Sequence, residues 1–350
     1  MTYTLPELGF SADFQSQLTP EEFETLTPAR VTEVHRSSID VLGEEGPQRL
    51  PMTGALADAG VAVGDWILVD QGALRADRIL ERKSEIKWRA AGEESVAQLI
   101  AANIDTLFIV SSCNADFNIA RLERYLALAR QAGVEPVVIL TKADLSDDPT
   151  VFRQKVEHGL QGVFVETIDA TSPDVVAQLA PWCGKGHTVA LLGSSGVGKT
   201  TLTNSLTGKG LLTQDIREDD AKGRHTTTAR SMHHMASGGW LIDTPGMREL
   251  RLVDVAEGVE QVFADVTALL GQCKFSDCAH ETEPGCAILA AIDAGELDAE
   301  RLKRWKKLQR EEAFNSRSVA EHRAEYKKLE KKYAGGRERL KMKKGEFYQD

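Results

Sequence analysis

Residues 193–200 read Gly193-Ser194-Ser195-Gly196-Val197-Gly198-Lys199-Thr200, a complete fit to G-x-x-x-x-G-K-[ST]. The chemistry served by this pattern is phosphate binding. Glycines let successive backbone N–H groups curl around phosphate oxygens without a Cβ in the way. A helix opening at Lys199 would add its partial positive end. Lys199 is expected to reach the β- and γ-phosphates of a nucleotide, the Thr200 hydroxyl to bind Mg²⁺, and Thr201 to belong to the same site. About 45 residues on, Trp240-Leu241-Ile242-Asp243-Thr244-Pro245-Gly246 ends an apolar run in an acid. Asp243 would hold the metal through water, and the Gly246 N–H would sense the γ-phosphate. Between the two lies Gly223-Arg224-His225-Thr226-Thr227-Thr228. Thr227 is expected to join the Mg²⁺ shell only when γ-phosphate is present. Three consecutive threonines are also β-branched and suit the start of a strand.

Base choice falls to Thr141-Lys142-Ala143-Asp144, which follows the apolar run Pro136-Val137-Val138-Ile139-Leu140. The Asp144 carboxylate can accept from guanine N1–H and its exocyclic amine, where adenine presents the wrong pattern. The stem of Lys142 can lie across the base. The common form of this element begins with Asn, so Thr141 offers one hydrogen-bonding group fewer. A second base contact is expected at Asp169-Ala170, where the Ala170 N–H would meet the guanine carbonyl. Met247 follows Gly246. Many GTP hydrolases place a Gln there to orient the attacking water. Methionine cannot do this, so His225 or a partner is expected to complete the site.

The order of these motifs is reversed. The base-reading element precedes the phosphate loop, whereas an ordinary GTPase domain opens with the phosphate loop. The chain therefore reads as a circularly permuted α/β GTPase.

A second constellation is Cys273-x₄-Cys278-x-His280-x₅-Cys286, three thiolates and one imidazole within 14 residues. Cys₃His is a closed tetrahedral set for structural Zn²⁺, one per chain, with no open position for chemistry. A disulfide reading would leave His280 without a role, and no secretion signal opens the chain. Cys113 and Cys183 lie apart and read as ordinary residues.

The phosphate-loop variant, the Gly-Arg-His-Thr-Thr-Thr segment, Asp-Thr-Pro-Gly and the permuted order together resemble the ribosome small-subunit-dependent GTPase A family (RsgA/YjeQ). The resemblance spans roughly residues 30–330 and takes in the zinc-binding element. It implies GTP hydrolysis to GDP and phosphate, stimulated by the 30S subunit late in its assembly, with 16S rRNA as a contact. Ahead of the nucleotide motifs, Val31-Thr32-Glu33-Val34, Ile39-Asp40-Val41-Leu42 and Trp66-Ile67-Leu68-Val69 are short alternating runs punctuated by Gly and Pro. They read as a small antiparallel barrel. The pattern leaves an RNA role open; Val63-Gly64-Asp65-Trp66 resembles the family's OB-fold signature, which implies rRNA binding.

Composition fits a cytoplasmic, monomeric protein without a membrane segment, its longest apolar runs falling short of a span. Net charge is −11, but residues 301–350 carry 17 lysines and arginines against 8 acids, so +9, leaving −20 elsewhere. That basic end suits RNA phosphates or a solvated helix. The expected architecture is an extension (1–30), an OB-like barrel (31–92), the permuted GTPase domain (93–252), a zinc-binding helical domain (253–335) and a basic tail (336–350). Strands are expected at 106–110, 136–140, 163–165, 188–192, 230–235 and 240–242. Two other functions remain: a non-catalytic GTP-dependent RNA-binding switch, which Met247 allows, and a P-loop ATPase or kinase, against which Asp144 speaks.

Overall fold

The computed structural model describes residues 2–88, 98–210, 230–243 and 254–316. Two short helices, α1 (Ala12–Gln15) and α2 (Pro20–Thr25), precede the first strand. Helix α2 starts because Thr19 and Glu22 cap each other's backbone N–H groups and Pro20 presets the first turn. Strands β1 (Thr27–Val34), β2 (Ser38–Gly43) and β3 (Gly46–Pro51) form a meander. After helix α3 (Gly54–Ala59) come β4 (Trp66–Asp70) and β5 (Arg75–Ile79). All five pair antiparallel in the order β3-β2-β1-β4-β5. They enclose their own core of Val31, Ile39, Val41, Leu50, Ile67 and Val69. A separate ribbon joins β6 (Glu85–Trp88) to β7 (Gln98–Ala102).

The nucleotide motifs sit on the next set of elements: β8 (Thr106–Ser112), α4 (Ile119–Gln131), β9 (Glu135–Thr141), α5 (Thr150–Gly159), β10 (Phe164–Thr167) and α6 (Val175–Leu179). After them come β11 (Thr188–Gly193), α7 (Lys199–Thr207), β12 (Ser231–His234) and β13 (Trp240–Asp243). Their strand order is β10-β9-β8-β11-β13-β12, parallel except for β12. The strand feeding the phosphate loop thus lies between β8, made earlier, and β13, made later. Strands β8 and β11 are buried throughout because both faces are covered. Leu107, Ile109, Val138 and Leu140 pack with α4, while Phe108, Val110, Val137 and Ile139 pack with α6 and α7. That alternation is the period-2 geometry of a strand. The six strands expected here all occur, with ends displaced by one or two residues. Strand β12 meets β1 at Glu33 and Ser231, joining the two regions in one sheet.

Residues 2–25 are docked rather than trailing. Leu8 and Phe14 are buried with Trp66, and Tyr3 meets Trp240 edge to ring. The Trp240 indole N–H donates to the Glu7 carbonyl at 2.8 Å. The buried Arg30 guanidinium donates to the carbonyls of Leu8 (2.6 Å) and Asn103 (3.0 Å), tying three segments together. Burial holds its pKa down at about 10.

The C-terminal helices are α8 (Ala256–Val262), α9 (Ala264–Thr267), α10 (Ala287–Asp293) and α11 (Ala299–Asn315). Helix α8 lies against α4 so closely that a Cβ on Gly258 would stand 2.0 Å from the Ala127 carbonyl oxygen. Phe263, Leu302 and Trp305 join the core that contains α4.

Candidate nucleotide site and metal centre

The carboxyl ends of the parallel strands converge on one edge of the sheet. Gly193 ends β11, Thr141 ends β9, Ser112 ends β8 and Asp243 ends β13. Open α/β sheets bind ligands in the crevice outside these ends. Gly193 has to be glycine, because a Cβ there would fall 2.3 Å from the Val110 carbonyl oxygen. Gly196 and Gly198 take φ of +77° and +93°, a region that side chains disfavour. Their curl delivers the chain into α7 at Lys199. The Lys199 ammonium lies back over the loop, donating to the carbonyls of Gly193 (2.7 Å) and Ser194 (2.6 Å).

Thr141 is fully buried, and its hydroxyl donates to the Val197 carbonyl at 2.6 Å. The hydroxyl therefore ties the end of β9 to the phosphate loop across 56 residues. Lys142 follows in a left-handed turn (φ +57°), which throws Asp144 onto an exposed 3₁₀ turn over Ala143–Leu145. The loop after β10 lies alongside: the Ala143 N–H donates to the Ile168 carbonyl at 3.3 Å. Asp169 accepts from the Thr171 N–H and hydroxyl, which hold its carboxyl below the usual range. The buried Ala170 gives its carbonyl to the Ser205 hydroxyl of α7 at 2.7 Å. The segments around residues 141–144, 168–171 and 193–201 are thus brought together. Thr227, His225, Gly246 and Met247 lie outside the described residues.

Sequence reasoning passed over Arg121 and Tyr125 on α4. Arg121 Nη1 donates to the Ser194 hydroxyl oxygen at 2.6 Å, and the Tyr125 side chain lies against the same serine. No local pattern marks either residue, since their partner lies about seventy positions away.

The second site is compact. Cys273 and Cys286 Sγ stand 3.8 Å apart, and His280 Nδ1 lies 3.6 and 3.4 Å from them. Cys278 completes a set whose ligand atoms all fall within 4.8 Å of one another. A tetrahedral Zn²⁺ with bonds of about 2.3 Å to sulfur and about 2.0 Å to nitrogen demands S–S near 3.8 Å and S–N near 3.5 Å. The donor set and its spacing therefore fit that ion. Three backbone N–H groups, of Ala279, Glu281 and Thr282, donate to the Glu283 carboxylate, which folds the loop and holds this carboxyl down at about 2. Lys306 of α11 reaches the carbonyls of Ala279 and His280. Among the described residues, no helix is long and apolar enough to cross a membrane.

A family model described as RsgA GTPase matches residues 79–253. "Small ribosomal subunit biogenesis GTPase RsgA 2" of Vibrio vulnificus (strain CMCP6) is 49% identical over 332 residues, 95% of this chain and 94% of that one. "Small ribosomal subunit biogenesis GTPase RsgA" of Mesorhizobium japonicum is 49% identical over 317 residues, 89% of this chain and 91% of that one. The crystal structure of YjeQ from Thermotoga maritima aligns with TM-score 0.59 at 22% identity, over 81% of this chain and 97% of that one. The structure of YloQ, titled a circularly permuted GTPase, aligns with TM-score 0.57 at 22% identity, over 84% and 97%.

Proposed function

This chain belongs to the RsgA GTPase family, and from that premise we propose that it hydrolyses GTP to GDP and phosphate during assembly of the small ribosomal subunit. It has the circularly permuted GTPase fold on a mixed α/β sheet. The role in assembly follows the names of its relatives. The observation that carries the reading is the 2.6 Å bond from the Thr141 hydroxyl to the Val197 carbonyl. It holds a base-reading loop against a phosphate loop although the chain makes them in the reverse order.

In this reading Gly193, Ser194, Ser195, Gly196, Val197 and Gly198 wrap the phosphates with backbone N–H groups. Lys199 swings from its carbonyl partners to the β- and γ-phosphates. Thr200 and Asp243 hold Mg²⁺, Asp243 through water, and Thr201 supports the same turn. Mg²⁺ would bridge phosphate oxygens and neutralise charge that develops there. Thr227 and Gly246 sense the γ-phosphate, and His225 orients water where Met247 cannot. Asp144 accepts from guanine, Lys142 covers the base, and Ala170 N–H faces its carbonyl. Cys273, Cys278, His280 and Cys286 hold one structural Zn²⁺. Strands β1 to β5, in the order β3-β2-β1-β4-β5, would form an OB-like barrel that contacts rRNA together with the basic tail. The domain limits are those expected from the sequence, and the protein works as a cytoplasmic monomer.

GTP and ATP turnover measured with and without purified 30S subunits tests this. Slow GTP hydrolysis that the subunit accelerates many-fold is expected, with no ATP turnover. Equal rates in the two conditions would remove the partner-completed site.

A further inference from the structure

Helix α4 touches the phosphate loop and the C-terminal helices through adjacent residues. Arg121 Nη1 donates both to Ser194 and, at 2.9 Å, to the Asp116 carboxylate. Tyr125, one turn on, meets the same serine. Residues four apart share a helix face, so one stripe of α4 addresses the second residue of the phosphate loop. The positions between address the C-terminal region. The buried Glu123 carboxylate accepts from Arg304 Nε at 3.0 and 2.9 Å and from Arg301 Nη1 at 3.2 Å, both on α11. Arg301 is fixed in turn by Asp265 (2.5 and 2.9 Å) and by the Gly159 and Val262 carbonyls. Arg124 pairs with Glu311 of α11. Ala127 and Gln131, on the stripe of Glu123, receive the backbone of Gly258.

We propose that Arg121 and Tyr125 are positioning residues for the phosphate loop, and that α4 carries their alignment to the C-terminal helices through Glu123 and Arg124. What grips α11 would then alter how the loop holds nucleotide. The inference rests on the GTPase reading above. A helix whose hydrogen bonds are internal and whose sides are close-packed shifts as a body rather than bending residue by residue. The contact of Gly258 with Ala127 leaves α8 no room to slide independently. Glu123 is a buried charge balanced by two guanidiniums from one helix, so drawing Arg304 away leaves it undercompensated. Helix α4 must then adjust, and the Arg121–Ser194 contact adjusts with it. The coupling is reciprocal: nucleotide in the loop changes the affinity of the α11 face for whatever binds there.

The full-length chain tests this through fluorescent-GDP titration and the kcat and KM of GTP hydrolysis. The variants are Arg304→Gln, Arg304→Lys, Arg121→Gln, and Arg304→Gln combined with Arg121→Gln. Arg304→Gln is expected to weaken GDP binding and raise KM about three- to tenfold with a smaller change in kcat. Arg304→Lys should recover most of that loss. In the double variant the two losses should overlap rather than add. Additive losses, or GDP affinity unchanged by Arg304→Gln, overturn the relay. If Arg304→Gln loses zinc or helix content, Glu311→Gln, which frees Arg124, supplies the same readings. A wild-type chain that binds no guanine nucleotide would overturn the GTPase reading itself, and this inference with it.

Discussion

A single hydroxyl fastens the turn after β9 to the glycine-rich loop after β11. Thr141→Val keeps the shape but leaves the buried Val197 carbonyl without its donor, a loss of about 1–3 kcal/mol. GDP affinity should fall about tenfold, and Thr141→Ser should restore it; isothermal titration of the two variants decides the matter. Asp144→Asn turns an acceptor pair into a donor–acceptor amide, so GTP binding should weaken and xanthine nucleotides should gain. Unchanged GTP affinity would take Asp144 out of the base site. Lys199→Ala should abolish turnover while the fold survives. The strand, glycine-rich loop and helix over 188–207 were legible because their pattern is contiguous in the chain. The bond of Thr141 to Val197 was not, because it joins two loops that only the sheet brings together. Departure from Asn read as a lost base contact; the hydroxyl in fact reaches backbone. His233 gives a pH handle. Burial, with Lys209 nearby, drives its pKa from 6.5 down to about 4. As pH falls from 6.5 towards 4, the unfolded chain takes up a proton that the folded one refuses, so stability declines over that window. His233→Gln should flatten that part of the urea-denaturation profile.

One glycine sets how closely α8 and α4 approach. Gly258→Ala would drive a methyl into the Ala127 carbonyl and pry α8 from α4. A loss of about 1–3 kcal/mol in denaturant melts is expected, and an unchanged midpoint would contradict the packing. The Cys₃His loop is short, with helices on either side and little core of its own, so a Zn²⁺ held there would supply much of its folding energy. Purified protein should carry about one Zn²⁺ per chain by elemental analysis. Cys278→Ser or Cys286→Ser should loosen the region after residue 255 in hydrogen exchange. Because Arg301 and Arg304 grip Glu123, some loosening should spread to α4. Buried parallel strands were readable as apolar runs. Strand β3 was not, since Gly46 and Pro47 looked like punctuation, and Pro51 ends it. Both prolines are tolerated because β3 lies at the end of the strand order and pairs through β2 alone. The ribbon of β6 and β7 was missed as well: Glu85-Ile86-Lys87-Trp88 alternates over only four residues, and its partner strand lies beyond residues 89–97.

The charge of the whole chain is divided against itself, acidic in its body and basic at its end. Residues 317–350 hold 11 lysines and arginines against 6 acids. Deleting them should weaken 30S binding and make the logarithm of affinity less steep in the logarithm of salt; an unchanged slope would show that the tail does not meet phosphate. The parallel strands that carry the nucleotide motifs were legible from apolar runs and motif order, yet the seat of residues 2–25 was not, because Leu8 and Phe14 find their partner Trp66 far along the chain. That seat has a bearing on how the protein is made. Trp240 anchors Glu7, and its strand closes on β11 only after some 240 residues have been synthesised. While the nascent chain emerges, β1 to β5 can form early and seat Leu8 and Phe14 against Trp66, but Tyr3 and Glu7 must wait for Trp240. Strand β11 likewise docks beside β8 with its other edge bare until β13 arrives. A growing chain stalled near residue 210 exposes an unpaired central strand, a surface that invites capture by chaperones or by other nascent copies.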